Sequence, residues 1–439
     1  MTCRRFKQID SHRTKKTIFA GQSVMDATTN IDVDAVTPRL KLLVLQPAAY
    51  RNVDCSFSDR ESAATMSLAT LDLACRRVFD SPRFDRELDV EWHSGEPLHV
   101  PLAWYEEAIA LMTERRPAAL QLNHRFLTDG LLLNKDWALF FARIQATIGL
   151  RLAGPADLGD AGRRGSDGPD AHERAMRAVC LLQQHGLPFH VITVLTEHAL
   201  DEPDRLFDFY VENGIREVGF DIDEIAGAGT KSYLASDGIE ARFRRFIRRF
   251  FDLAWDEPGL LKVGELDSTA RLLLSGVPAR DERNQPFAVL TVGHDGAIST
   301  FSPELLGARH PRFGEFGFGH VASQRLCDIE YAPLFQEISS EILQGVEACK
   351  LSCEHFRWCG GGAPASKLFE TGRFDATETM HCRLTRQVVL DEVIAGIEAR
   401  IGRPPMAHDV IDEDAEPYRV LENVPIDLSG QPMPYVIEG

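Results

Sequence analysis

Between residues 40 and 222, short apolar runs alternate with amphipathic stretches, and this alternation constrains the fold more than any other feature of the chain. LKLLVLQ (40–46) is bounded and apolar throughout, the pattern of a buried strand. Val90–His93 and Ala119–Leu122 also read as strands, and Trp104–Arg115 and Lys135–Gln145 as helices. IGLRLAG (148–154) predicts a strand, HERAMRAVCLLQQHG (172–186) an amphipathic helix closed by Gly186, and FHVITVLT (189–196) a strand. DEPDRLFDFYVENG (201–214) predicts a helix with acidic residues in its first turn and Gly214 at its end, followed by a strand at REVGFDI (216–222). Strands alternating with helices pair in parallel and carry the helices outside the sheet. The expected class is therefore α/β. An open or closed α/β barrel is the natural candidate, although alternation alone does not separate it from a doubly wound sheet.

Beyond this region, residues 231–285 read as mostly helical and FAVLTVGHDGAISTF (287–301) as a hairpin turning at 294–296. Residues 345–385 are rich in Cys and Gly with few apolar runs, and TRQVVLDEVIAGIEARIG (385–402) reads as a helix. Residues 1–38 read as a polar extension, and those after 402 as a Pro-rich, acidic tail. A chain of 439 residues accommodates roughly two to three domains. The net charge of −18 opposes nonspecific nucleic-acid binding, which needs Lys and Arg against phosphate, and leaves room for a basic peptide partner. No apolar run reaches the roughly 18–20 residues of a membrane helix. The basic N-terminus is not followed by the apolar stretch of a signal peptide, so a cytoplasmic location is expected.

Of nine cysteines, the last four fall together as Cys349-x3-Cys353-x5-Cys359 and then Cys382, with Gly360, Gly361 and Gly362 between them. An odd count in such a chain disfavours a disulfide framework. Four thiolates from one segment suit either a tetrahedral Zn²⁺ or a [4Fe–4S] cluster, and their spacing alone leaves the two comparable.

The segment CKLSCEHFRWCGGGAPASKLFETGRFDATETMHCR (349–383) resembles the SPASM domain of radical SAM peptide maturases, closest to the cyclophane-forming GRRM-type branch. TFSPELLG (300–307) is similar to that branch as well. The resemblance implies that Cys349, Cys353, Cys359 and Cys382 hold one auxiliary [4Fe–4S] cluster. The positions where a further auxiliary cluster would take cysteines fall on Phe301 and Ala363.

The resemblance extends over about residues 40–400. LKLLVLQPAAYRNVDCSFSDR (40–60) is similar to the stretch that carries the radical-generating Cys-x3-Cys-x2-Cys. Its three cysteine positions fall on Arg51, Cys55 and Ser58. Serine is a poor iron ligand near neutral pH, and arginine has no free lone pair to give. The radical SAM cluster is therefore expected to be absent. WHSGEPL (92–98) resembles the family's WHGGEPL, which makes Gly95, Glu96 and Pro97 part of a SAM cleft with Glu96 on the methionine amino group. ALQLNHRFL (119–127) resembles the next strand, with Asn123 at the family's Gln-Thr-Asn position. GLRLAGP (149–155) stands where the family has GVSLDGP, so Arg151 replaces a serine and Ala153 an acid, and SAM binding is left in doubt. Arg163 or Arg164 aligns with a SAM-contacting arginine.

These features predict a partial (β/α)6 TIM-like barrel of the radical SAM type (39–230), a helical bridge (231–285) and a SPASM-like domain (286–402), flanked by an extension (1–38) and a tail (403–439). The expected role is a pseudoenzyme of a ribosomal-peptide maturation system. It would bind a precursor peptide, and an active maturase beside it. The alternatives are a repurposed enzyme doing non-radical peptide chemistry in the emptied barrel, and an active radical enzyme with substituted ligands.

Overall fold

The structure is a computed structural model and describes residues 39–48, 64–81, 84–93, 96–158, 171–222, 232 and 236–401. Arg51, Cys55, Ser58, Gly95, Arg163 and Arg164 lie outside the described residues.

Six strands follow one another with helices between them: β1 (Leu40–Leu45), β2 (Phe84–Trp92), β3 (Gln121–Thr128), β4 (Thr147–Arg151), β5 (Phe189–Leu195) and β6 (Glu217–Ile222). The intervening helices are α1 (Leu68–Phe79), α2 (Leu102–Arg115), α3 (Lys135–Ile144), α4 (Ala171–Gln184) and α5 (Pro203–Glu212). All six strands pair in parallel, and their spatial order is their chain order. Right-handed crossovers in a sheet that never reverses direction place every helix on the same face. This excludes the doubly wound arrangement that alternation alone had left open.

Local chemistry sets the helix ends. Ser67 caps α1 by accepting the Thr70 N–H (3.0 Å). Asn134 caps α3 by accepting from Asp136 (3.0 Å) and Trp137 (3.1 Å), and Gln145 ends it in a left-handed conformation at φ 53°.

The helix-covered face is apolar. Leu88, Val90 and Trp92 of β2 and Phe126 of β3 pack with Tyr105, Trp137, Phe140 and Phe141. Trp92 meets Tyr105 edge-on at 5.2 Å, and Phe126 lies 4.9 Å from Phe141. Trp92 Nε1 donates to His124 Nδ1 (3.2 Å), and burial pushes that imidazole down to about 4, so it is neutral and fills core space.

The sheet continues past β1. Helix α6 (Ile239–Asp256), strand β7 (Lys262–Val263) and helix α7 (Gly264–Ser275) lead to the hairpin β8 (Val289–Val292) and β9 (Ala297–Thr300). β8 pairs in parallel with β1, and β7 with β6. A small ribbon, β10 (Arg309–His310) with β11 (Gly314–Glu315), precedes β12 (Gly319–His320), which pairs with β9. Among the described residues the resulting ten-stranded sheet runs β12-β9-β8-β1-β2-β3-β4-β5-β6-β7.

Short α8 (Leu326–Ile329) and long α9 (Pro333–Ser352) then bring in the cysteine-rich segment, which is helical: α10 (Phe356–Cys359), α11 (Pro364–Thr371) and α12 (Met380–Cys382). A π-helical turn (Arg383–Val388) leads into α13 (Val389–Ile401). α13 packs on α6, where Gly396 lets the Phe251 ring approach. No helix among the described residues is long and apolar enough to cross a membrane.

Candidate functional site

The four clustered cysteines arrive from three helix ends. Cys349 is in the last turn of α9, Cys353 caps it, Cys359 ends α10 and Cys382 ends α12. All four line one small cavity, together with Arg386 and Gln387 of the π-helical turn. Among the described residues, no group of three or more His, Cys, Asp or Glu side chains is placed to hold one metal ion.

The surrounding chain holds these cysteines in place. Gly360, Gly361 and Gly362 take consecutive left-handed conformations (φ 74°, 109° and 73°), which side chains rarely adopt. Asn284 Nδ2 donates to the carbonyls of Gly360 (3.3 Å) and Gly362 (2.9 Å), fixing that turn. The Glu370 carboxylate accepts the N–H groups of Met380 (2.5 Å) and His381 (3.0 Å), and Thr379 Oγ1 accepts that of Cys382 (3.0 Å). These bonds satisfy the start of α12 and set the position of Cys382.

Two further donors reach the sulfurs. Lys367, buried with 4% of its surface exposed, donates from Nζ to Cys349 Sγ (3.5 Å). Gln387 Nε2 donates to Cys382 Sγ (3.7 Å). Burial pushes the Cys382 thiol up to about 12, helped by Cys359, Cys353 and Cys349. Burial also raises Cys349, against the opposing pull of Lys367. Four bare thiolates would repel one another here, and a cationic core between them is what lets them ionise together. The donor set therefore fits a metal–sulfur group. Phe301 is fully buried and stacks on Phe335 at 5.9 Å, and Ala363 is buried as well, so neither of those positions supplies a sulfur.

At the carboxyl ends of β2 and β3 the focus is Glu96. Its Oε1 accepts from Leu98 N (2.8 Å) and Thr128 Oγ1 (2.7 Å), and its Oε2 from Asp129 N (2.7 Å). Tyr105 donates to the Pro97 carbonyl (3.0 Å) and steadies the same turn. Burial, and secondarily the charge of Asp129, push the Glu96 carboxyl up to about 8.

Asn123 is elsewhere. It donates to Asp89 Oδ1 (3.1 Å), and Arg125 pairs with the other oxygen of Asp89 (2.6 Å). Thr128 lies five positions beyond Asn123, about 16 Å along a strand. The expected grouping of Asn123 with Glu96 is thus not what the structure brings together. Thr128, Asp129 and Gly130 meet Glu96 instead, and the sequence signal for them was the Asp-Gly turn ending the strand.

The sheet face away from the helices is polar. Glu87, Asp89 and Glu91 alternate along β2 with buried Leu88, Val90 and Trp92, and Arg125 lies beside them on β3. His93 Nδ1 lies 3.2 Å from Glu91 Oε1. Despite the burial that raises it, the Glu91 carboxyl is held below its usual range by His93, with Arg125 and Arg151 contributing charge. Arg151, half-buried at the end of β4, thus shares the electrostatics of this face, while Ala153 is exposed beyond it.

No family model matches the chain. An uncharacterized protein of Synechocystis sp., sll1766, is 33% identical over 389 residues, which cover 87% of this chain and 98% of that one. The serine-type anaerobic sulfatase-maturating enzyme of Bacteroides thetaiotaomicron is 23% identical over 300 residues, 64% of this chain and 70% of the enzyme. The cysteine-type enzyme of Clostridium perfringens is 20% identical over 344 residues, 74% and 89% of the two chains. Among solved structures, native anSMEcpe with bound AdoMet and Cp18Cys peptide matches with a TM-score of 0.65 at 17% identity, covering 82% of this chain and 97% of that one. Streptococcus suis SuiB bound to precursor peptide SuiA matches with a TM-score of 0.54 at 17% identity, covering 78% and 76%. These structural matches speak for the fold, a mixed α/β architecture with a parallel sheet like that of radical SAM enzymes. The chain belongs to the family of the Synechocystis protein, and its wider homologues are the radical SAM anaerobic sulfatase-maturating enzymes.

Proposed function

We propose that this chain is a peptide-binding radical SAM/SPASM protein, nearest the GRRM-type branch, that no longer generates the 5′-deoxyadenosyl radical and retains one auxiliary [4Fe–4S] cluster. One contrast carries the reading. Four sulfurs line a single cavity late in the chain, while Arg51 and Ser58 stand at two of the three positions where the radical-generating cluster needs thiolates. In this reading residues 39–230 are the partial (β/α)6 barrel, 231–285 the bridge and 286–402 the SPASM-like domain.

Cys349, Cys353, Cys359 and Cys382 would hold the cluster. Bound by four thiolates, it supplies an electron-transfer or structural centre without an open iron. The likeness of 349–383 to the SPASM domain favours it over zinc, since the four-cysteine spacing alone suits either. The chain's own residues shape the site: Asn284 holds the glycine turn, and Glu370 and Thr379 hold the helix that presents Cys382.

A peptide partner is supported by the relatives and neighbours, which act on sulfatases or are seen with peptides. The proposed partners are a ribosomally made precursor and an active maturase that modifies it. anSMEcpe binds AdoMet. Here three protein donors already engage Glu96 and a bulky cation, Arg151, ends β4, so SAM affinity is expected to be weak.

Iron quantification after anaerobic reconstitution tests the proposal. About four irons per chain supports it, while about eight restores a radical site. Zinc without iron overturns the cluster assignment. A pull-down in which the neighbouring precursor does not bind overturns the peptide-binding role. The polar sheet face, where Arg151 and the Glu91–His93 pair share one electrostatic environment, favours a second reading, polar chemistry on the peptide. That reading predicts a mass change in a coexpressed precursor that Arg151→Ala abolishes.

A further inference from the structure

We propose that Lys367 is a positioning residue that sets the reduction potential of the iron–sulfur group held by Cys349, Cys353, Cys359 and Cys382, an inference that rests on the cluster reading of that cavity. Lys367 lies in α11, directly after the glycine turn, with 4% of its surface exposed. Lysine is almost never this buried without a partner. Among the described residues no carboxylate pairs with it, and the one side chain its ammonium reaches is the Cys349 sulfur at 3.5 Å. An unpaired buried charge is costly, so the arrangement makes sense with anionic sulfur at Cys349.

The backbone makes room for this contact. A Cβ on Gly345 of α9 would lie 3.2 Å from Lys367 Nζ and 2.5 Å from the Phe374 carbonyl oxygen. Any larger residue there would drive the two segments apart and move the ammonium off the sulfur. Gln387, 3.7 Å from Cys382 Sγ, adds an amide dipole but no charge.

The electrostatic consequence has a definite sign. Four thiolates around an oxidised [4Fe–4S] core leave a net negative charge, and one added electron makes it more negative. A fixed cation at a ligand sulfur stabilises the reduced form more than the oxidised form and raises the potential. Lys367 therefore makes the group easier to reduce.

The test is an EPR-monitored potentiometric titration of anaerobically reconstituted full-length protein, wild type against Lys367→Met and Lys367→Arg, with iron counted in each. Methionine keeps the length and removes the charge. Its one-electron reduction should be disfavoured at least tenfold, a midpoint about 59 mV more negative. Arginine should recover most of that shift. Where Lys367→Met binds less iron, the midpoint of the loaded fraction still decides: lowered supports the inference, unchanged overturns it. Complete loss of iron in both variants also overturns it, because Lys367 would then serve assembly. Wild-type protein that takes up no iron overturns the cluster reading itself, whereas loaded wild type with an unshifted Lys367→Met overturns this inference alone.

Discussion

Thr128 Oγ1 donates to Glu96 Oε1 at 2.7 Å, tying the turn that follows β2 to the end of β3. The bonded carboxyl is buried, and its pKa stands at about 8 against an ordinary 4.5. The native state thus holds a proton that the unfolded chain releases between these values. Stability from this group is full below about 4.5 and is lost as the pH rises through about 8. Glu96→Gln cannot titrate, and its amide would turn a donor toward either the Asp129 N–H or the Thr128 and Leu98 donors. It should therefore be less stable than wild type at pH 5.5, with the gap shrinking by on the order of 2–3 kcal/mol by pH 8.5. Urea midpoints at the two pH values check this, and a gap independent of pH would refute it.

Asn284 joins the segment before β8 to the glycine turn through two carbonyl contacts from one amide nitrogen. Asn284→Ala removes both, leaving buried carbonyls unsatisfied at a cost of about 1–3 kcal/mol. The turn carries Cys359 on one side and leads to Lys367 on the other. We expect reconstituted iron per chain to fall by at least half while far-UV circular dichroism is unchanged. Full iron occupancy in Asn284→Ala would show that the turn holds without it.

β1 and β5 are legible because they are short and apolar. The expected strand at 40–46 is β1 at Leu40–Leu45, and that at 189–196 is β5 at Phe189–Leu195. The expected strand at 119–122 stops short of β3, which runs over Gln121–Thr128. Its buried face includes His124 and Thr128, polar side chains that break the apolar alternation. Asn123 is grouped with Glu96 by the likeness of ALQLNHRFL to the family's next strand, whereas the groups that meet Glu96 sit at that strand's far end, in Thr128 and Asp129. The Cys- and Gly-rich composition of 345–385 does not reveal its helices, yet Phe335, Ile338, Ile342, Gly345 and Cys349 form a buried helical stripe on α9. Glycine and cysteine at the end of that stripe looked like loop chemistry. Lys367 was hidden for another reason: a lysine's burial depends on what surrounds it in three dimensions.

Gly396 of α13 faces the Phe251 ring so closely that a Cβ would sit 2.4 Å from Cε1. The ring is clamped by Trp255, stacked at 5.6 Å, and by the Arg400 guanidinium at 5.1 Å. Alanine at this site would add roughly 1 kcal/mol of helix propensity. Overpacking a core contact costs about 1–3 kcal/mol, and the clamped ring has little freedom to yield. Gly396→Ala should therefore be destabilising on balance by about 1 kcal/mol in chemical denaturation. A stabilised variant would mean that the ring moves freely.

Glu392, on the same helix, is buried and accepts from Arg248 Nε (2.6 Å) and Arg244 Nη1 (3.0 Å) of α6. Arg244 also reaches Asp391, which bonds His355 beside the cysteine cavity (2.8 Å), so these charges link α6 to the cysteine segment. Removing one partner of a fully buried pair costs about 3–5 kcal/mol, but both arginines here are partly exposed and can rehydrate. Glu392→Gln should therefore cost about 1–2 kcal/mol, less than the buried limit. A double-mutant cycle with Arg248→Met should recover a coupling of about 1 kcal/mol that weakens between 0.05 and 0.5 M salt. Coupling of 3 kcal/mol or more, insensitive to salt, would show that the pair is sealed from water. The same variant should lower iron retention during slow chelation, because the helix anchoring Asp391 and His355 then frays sooner.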